Sequence, residues 1–399
     1  MAPPEGEGRK ARTPAATVRA AIAGLETSRI RRVVSHAMGR PGVIPLWFGE
    51  PNEPTPGFII AAAQRALDAG ETFYTLNRGI PALRTAIADY LHGLRGRPIS
   101  EERISVTASG MNAIMMTMQA LLGPGDSIVM PEPYWPNLPA TAEIVGATVR
   151  TVPLEVRGDA FVLDLERLFD RVDAATRAIL INSPANPTGW MMPAEDQRTV
   201  LDFCRARGLW LIADEVYDRI AYDASPAPSF LDHAEAEDPL VVINSFSKSW
   251  AMTGWRVGWL VAPERLGPQI DKLIEYNMAC APAMAQRAAI TALAEGEPFI
   301  AASVARYHGN RDLVVDRLAA NPRVRLTRPP GAFYAFLAVD GITDSLRFAV
   351  DLVDETGVGL APGSAFGESG EGHLRLCFAS DRGRLSEALD RLEAYLETR

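Results

Sequence analysis

The sequence predicts an α/β protein, with a large domain built on a mostly parallel sheet flanked by helices and a smaller α+β domain. Three observations predict it. Between residues 103 and 262, short apolar runs rich in β-branched residues alternate with segments of helical period. This is the pattern of buried parallel strands joined by helices. Beyond Pro263 the alternation gives way to a long helical tract, then to strand-like runs with two helices. At 399 residues the chain is long enough for two domains, each with its own core.

The elements follow in order. Residues 1–18 are rich in Pro, Gly, Ala and charge, lack the apolar centre of a secretory signal, and read as a flexible tail. Residues 19–48 read as an N-terminal arm that also contributes to the small domain. The large domain is placed at 49–295 and the small one at 296–399. The large domain should hold strands at 103–107, 127–130, 177–183, 209–214, 241–245 and 257–262, with helices at 111–122, 138–145 and 195–206. The tract from about 263 to 320 reads as helical with interruptions. Strands at 324–326, 333–339 and 373–377 and helices at 346–355 and 385–396 complete the small domain.

Composition excludes several functions. Net charge is −9 and no basic run occurs, so nucleic acid and anionic membrane are poor partners. No stretch approaches the roughly 20 apolar residues needed to span a bilayer. Cys204, Cys280 and Cys377 have no metal-like spacing, and the five histidines are isolated, so no metal site is expected. Three cysteines that cannot all pair suit a reducing, cytoplasmic setting. No Gly-x-Gly-x-x-Gly follows the early strands and no Gly-Lys-Ser/Thr exists, which argues against dinucleotide and P-loop enzymes.

Of the 40 Lys and Arg residues only three are lysine, namely Lys10, Lys248 and Lys272. A guanidinium does not release its proton usefully, whereas a lysine amine can, and can then attack a carbonyl carbon. Lys248, in Ser245-Phe246-Ser247-Lys248-Ser249-Trp250, is therefore a candidate Schiff-base lysine. Asp214 ends the apolar run 209–213, where a carboxylate is costly without a cation or donors. It reads either as a helix cap or ion pair, or as the partner of a protonated ring nitrogen. Tyr217 follows three residues on, within reach of a phenolate oxygen on such a ring. Asn186, in Ser183-Pro184-Ala185-Asn186-Pro187-Thr188-Gly189, follows another apolar strand. That stretch reads as a turn on its own, but strand carboxyl ends are where α/β sheets place ligand contacts. Ser109-Gly110-Met111-Asn112 opens a helix and suits an anion such as phosphate, although a glycine there is often only a turn. Ser245, Ser247 and Arg256 add further phosphate donors if the fold gathers them.

These residues resemble the class I pyridoxal-phosphate aminotransferases of fold type I, the aspartate aminotransferase superfamily. The resemblance runs from about Gly24 to near the end. It rests on Gly49-Glu50-Pro51-Asn52, Tyr74-Thr75, Gly79-Ile80-Pro81-Ala82-Leu83-Arg84, Asn186-Pro187-Thr188-Gly189, Asp214-Glu215-Val216-Tyr217, Ser245-Phe246-Ser247-Lys248, Gly254-Trp255-Arg256-Val257-Gly258 and Leu374-Arg375-Leu376. It implies a seven-stranded sheet in the large domain and pyridoxal 5′-phosphate bound covalently to Lys248. It implies Asp214 at the pyridine nitrogen, with Asn186 and Tyr217 at the ring hydroxyl. Ser109, Gly110, Met111, Ser245, Ser247 and Arg256 would surround the phosphate, and Trp135 would stack on the ring, with Tyr134 as its rival. Arg375, with Gly49 and Asn186, would hold the substrate α-carboxylate. Tyr74 would reach the phosphate of the other subunit, which implies a homodimer with shared active sites.

The implied activity is ping-pong transfer of an amino group from an L-amino acid to a 2-oxo acid. Lys248 must then favour its neutral form, helped by desolvation and by Arg256. Residues 275–282 hold none of the arginines that some dicarboxylate-using relatives carry there, the next arginine is Arg287, and Met111 stands where others have lysine. A neutral, aromatic or broad side-chain preference is therefore expected over strict aspartate, with Trp47 and Phe48 suited to it. Arg29, Arg31, Arg32 and Arg78 remain available to a distal carboxylate. A lyase or decarboxylase of the same fold is the alternative. A ligand-sensing regulator would need a DNA-binding module, for which the residues before Gly24 are too short and insufficiently basic.

Overall fold

The computed structural model describes residues 17–398; of the expected tail at 1–18, residues 1–16, with Lys10 among them, lie outside the described residues. Seven strands form the central sheet: β1 Ile104–Thr107, β2 Ser127–Glu132, β3 Thr148–Pro153, β4 Thr176–Asn182, β5 Trp210–Asp214, β6 Leu240–Ser245 and β7 Gly258–Val261. Their spatial order is β1-β7-β6-β5-β4-β2-β3. From β3 to β6 every pair is parallel. β7 lies antiparallel between β6 and β1.

The parallel strands bury both faces, which is why they read as unbroken apolar runs. In β4, Ile179 and Ile181 join one core while Ala178 and Leu180 join the other. Leu211 and Ala213 of β5 face the first core and Ile212 the second. Helices Gly57–Asp68, Pro81–Arg95, Ala194–Arg207 and Ala283–Glu295 cover the first face. Gly110–Leu121, Asn137–Val145 and Gly267–Met278 cover the second.

A third core surrounds a four-stranded antiparallel sheet ordered Val324–Leu326, Tyr334–Val339, His373–Cys377, Ala361–Pro362. Helices Ser345–Thr356 and Arg382–Glu397 pack on it, and so does Arg29–Ala37 from near the amino terminus. Ile44–Pro45 pairs in parallel with Val358–Gly359 and ties that early segment to the late one. One helix, Glu297–Leu318, reaches both bodies: Ile300 packs in the first core, and Tyr307, Val314 and Leu318 pack in the third.

The differences from expectation are local. The tract after Pro263 divides into three helices, broken at Ala279–Pro282 and at Gly296. β3 is an unanticipated edge strand, and its Thr-Val-Arg-Thr-Val-Pro sequence is largely half-buried, so it carries no apolar run. Helices Gly57–Asp68 and Pro81–Arg95 were also unanticipated. Among the described residues no single helix is long and apolar enough to cross a membrane, and no group of His, Cys, Asp and Glu could hold a metal ion.

Candidate active site

The carboxyl ends of β4, β5 and β6 open into a cavity of about 500 Å³, within the size range of small-ligand sites. Gly49, Ser109, Gly110, Met111, Trp135, Asn186, Asp214, Tyr217, Ser245, Ser247, Lys248, Arg256 and Arg375 all line it. Tyr74 does not; it is 87% exposed on the surface of the subunit. Trp135 lies in this cavity, whereas its rival Tyr134 lines a smaller neighbouring one.

At the centre stand an acid and an amine. Asp214 is buried, and one carboxylate oxygen accepts from the Val216 amide at 3.4 Å. No cation among the described residues lies within ion-pair distance of it. Burial therefore pushes its pKa up to about 7, against the Val216 hydrogen bond and the charge of Lys248. Lys248 donates to the Gly49 carbonyl at 2.5 Å, with its ammonium 5.6 Å from the Tyr217 ring centre. Burial lowers its pKa to about 8; the charge of Arg375 acts in the same direction, and Cys377, Glu50 and Asp214 oppose it. The positive neighbour that depresses Lys248 is thus Arg375 rather than the expected Arg256.

A second group of residues forms an anion cradle. Ser109 caps helix Gly110–Leu121, its hydroxyl accepting from the Asn112 amide at 3.0 Å. The N–H groups of Gly110 and Met111 are left without intrahelical acceptors, and the helix dipole favours negative charge there. Ser109 holds φ at +148°, an uncommon conformation for a residue with a side chain, of the kind that clusters at functional sites. Gly258 admits the close approach: a Cβ there would lie 2.7 Å from the Gly110 nitrogen. Ser245 and Ser247 are joined hydroxyl to hydroxyl at 2.9 Å. Arg256, at φ +53°, donates to the Thr253 carbonyl at 2.7 Å, and no carboxylate among the described residues pairs with it.

Arg375 provides the third pole. It is buried, donating to Asn186 Oδ1 at 2.8 Å and to the Trp47 carbonyl. Its guanidinium carbon lies over the Tyr334 ring, 4.5 Å from the centre, and over that of Phe366 at 4.8 Å. No acidic side chain among the described residues pairs with it, so a buried guanidinium lacks its usual counter-charge. Tyr217 and Tyr334 meet hydroxyl to hydroxyl at 2.6 Å.

Sequence reasoning missed Asn182, Tyr334 and the backbone role of Trp47. Asn182 accepts from the Asn186 amide at 2.9 Å and donates to the Asp214 carbonyl at 3.0 Å, fixing two strand ends together. Trp47 contributes through its carbonyl, and Tyr334 through its ring and hydroxyl. A core aromatic or a backbone oxygen leaves no signal in residue type.

The groups present fit pyridoxal phosphate. A buried carboxylate without a cation suits a ring N–H, the cradle suits a phosphate dianion, and an amine held near pKa 8 suits covalent attachment.

Residues 41–392 match the family described as aminotransferase class I and II. The chain is 34% identical to an aspartate aminotransferase of Pyrococcus horikoshii, covering 94% of this chain and 95% of that one. It is 36% identical to an arginine–pyruvate transaminase of Pseudomonas aeruginosa, over 88% and 89% of the two chains. The solved aspartate aminotransferase of Thermotoga maritima superposes with a TM-score of 0.90 at 35% identity, covering 95% of this chain and all of that one.

Proposed function

This chain belongs to the aminotransferase class I and II family, and from that premise we propose that it moves an amino group between an L-amino acid and a 2-oxo acid with pyridoxal 5′-phosphate held on Lys248. The observation that carries the reading is the pair of uncompensated buried charges in one cavity: Asp214 without a cation and Arg375 without a carboxylate. Each is expensive unless a ligand supplies the counter-charge. When bound, pyridoxal phosphate supplies a carbonyl carbon that reacts with amines and a protonated ring that accepts an electron pair from the substrate.

The side chains divide the remaining work. Ser245, Ser247, Arg256, Ser109 and the amides of Gly110 and Met111 hold the phosphate. Asp214 keeps the ring nitrogen protonated, Trp135 covers the ring face, and Asn186 and Tyr217 contact the ring oxygen. Arg375 receives the substrate carboxylate in a two-pronged contact beside Gly49 and Asn186. Lys248, once free, would be the base that takes the substrate's α-proton and delivers it to the former carbonyl carbon of the cofactor; a pKa near 8 leaves a useful neutral fraction.

We further infer a broad preference with neutral or aromatic donors. Trp47, Phe48, Ile30 and Ile114 line the cavity, and Arg287 is tied to Glu71 at 2.6 Å. Relatives at this identity carry names as different as aspartate and arginine–pyruvate transaminase, so overall similarity does not fix the side chain. Of the four arginines open to a distal carboxylate, Arg29 pairs with Glu26 and Arg78 donates to Ser105 and to the Ile104 carbonyl. Arg32 lines a different cavity. Arg31 lines this one, unpaired among the described residues, and is the side chain we assign to a dicarboxylate such as glutamate or 2-oxoglutarate.

Phe73, Tyr74, Leu76 and Tyr276 are each more than 60% exposed. Asn77 bonds Asp271 at 3.4 Å and the Thr75 amide bonds Cys280 Sγ at 3.3 Å, holding that loop against the end of helix Gly267–Met278. An exposed aromatic group of this kind fits a homodimer in which Tyr74 serves the partner's phosphate site. Residues 19–48 and 296–399 then act as a small unit carrying Arg375 toward residues 49–295, which hold the cofactor.

The test is a half-reaction screen. Single amino acids are added to the loaded protein and pyridoxamine phosphate is identified by mass. A lyase or decarboxylase would consume the amino acid without accumulating it in stoichiometric amount.

A further inference from the structure

We propose that Tyr334 is a positioning residue of this site: its hydroxyl turns the phenol of Tyr217 into a donor toward the cavity, while its ring holds the guanidinium of Arg375 in place. The proposal rests on the reading that pyridoxal phosphate occupies the cavity with its ring oxygen at Tyr217.

The hydroxyl argument is one of proton count. Tyr334 is fully buried, and among the described residues its hydroxyl meets one hydrogen-bond partner, the hydroxyl of Tyr217 at 2.6 Å. Gly49 packs closely against it; a Cβ on Gly49 would lie 1.9 Å from the Tyr334 oxygen. Burial holds both phenols above their ordinary pKa, so each keeps its single proton. A phenol has one proton to give and can accept as well. At 2.6 Å either hydroxyl can be the donor, and both tyrosines line the cavity; in the proposed arrangement Tyr334 gives its proton to Tyr217, which leaves Tyr217 to direct its own at the ring oxygen. A donor that is itself receiving a hydrogen bond donates more strongly.

The ring argument is geometric. The guanidinium carbon of Arg375 lies over the Tyr334 ring, 4.5 Å from its centre, while the group donates to Asn186 and to the Trp47 carbonyl. A cation held over an aromatic face is restrained in position, and that position decides whether both oxygens of a carboxylate are met. One residue thus positions both the ring-oxygen donor and the substrate-carboxylate receptor.

The experiment is a pH titration of the absorbance of lysine-bound cofactor in wild type, Tyr334→Phe, Tyr217→Phe and the double variant. The charged and titratable groups facing the tyrosine pair are Arg375, Asp214, Lys248 and Cys377, and all are unchanged in these variants. A weaker hydrogen bond to an ionised ring oxygen raises its pKa. Tyr334→Phe should therefore move the midpoint upward by about 0.5 pH unit, and Tyr217→Phe should move it further. The double variant should match Tyr217→Phe alone, because Tyr334 acts through Tyr217. Tyr334→Phe keeps the ring, so KM for amino acids should change less than about threefold; Tyr334→Leu should raise it about tenfold. A Tyr334→Phe midpoint equal to wild type, or a double variant shifted beyond Tyr217→Phe, overturns the proposal alone. A wild-type protein with no titrating chromophore overturns the cofactor assignment and the proposal with it.

Discussion

The amine of Lys248 donates at 2.5 Å to the carbonyl oxygen of Gly49, a residue 199 positions earlier in the chain. The contact brings the strand-β6 loop against the segment that leads from the amino-terminal arm into the first helices. Gly49 in turn packs on the Tyr334 hydroxyl, which meets Tyr217. The amine is thus held among neighbours that keep it partly desolvated, and that is what lowers its pKa.

In cofactor-free protein, the reactivity of Lys248 toward an amine-acylating reagent should rise through a midpoint near pH 8. A depressed lysine pKa means the neutral, nucleophilic form gains population as pH increases past that value. Pulse acylation between pH 6 and 11, read by peptide mass, checks it. A midpoint near 10.4, the ordinary lysine value, would show that the site does not perturb the amine.

Asp214 gives a stability prediction with the opposite sense. Its folded pKa, about 7 without a ring partner, lies above the ordinary 3.8. The folded state then binds more protons between those values, so stability from this group is present at low pH and is lost as pH rises from about 4 through 7. Asp214→Asn should flatten that slope in urea melts of cofactor-free protein. The same variant should lower turnover at least ~100-fold, through loss of a buried charge partner.

Arg375 and Arg31 should separate in kinetics. Arg375→Gln should raise KM about 100-fold for every amino acid, because the α-carboxylate is common to all of them. Arg31→Gln should raise KM for glutamate and 2-oxoglutarate and leave leucine or phenylalanine nearly unchanged. Equal effects of Arg31→Gln on both groups would remove it as the side-chain determinant.

Gly49→Ala should be poorly tolerated, since its new Cβ would fall 1.9 Å from the Tyr334 hydroxyl oxygen. Melting temperature and cofactor affinity should both drop. Tyr334→Phe removes that oxygen and should restore part of the loss; no recovery in the double variant would mean the clash is relieved elsewhere.

Much of this arrangement was legible in the sequence, for physical reasons. β4, β5 and β6 are buried on both faces and so appear as apolar runs, and a polar residue at the end of such a run is conspicuous. Asp214 and Ser245 stood out for that reason and Lys248 as one of only three lysines; their positions around one cavity follow from parallel strands ending at one edge, and their roles remain the proposal above. β3 was not legible because an edge strand with half its surface wet needs no apolar pattern. Tyr334, Asn182 and the Trp47 carbonyl were hidden because nothing in a core tyrosine, a second asparagine or a backbone oxygen announces contacts made across 117, 32 and 328 residues. Arg31 became distinguishable from Arg29, Arg32 and Arg78 only once the fold had placed the other three elsewhere.

The central claim, that Lys248 carries the cofactor, is tested most directly by peptide mapping after borohydride reduction of protein incubated with pyridoxal phosphate. The chain holds only three lysines, so the outcome is unambiguous. The account predicts one stable adduct per chain, on Lys248; labelling of Lys10 or Lys272 in its place, or no adduct at all, would contradict it.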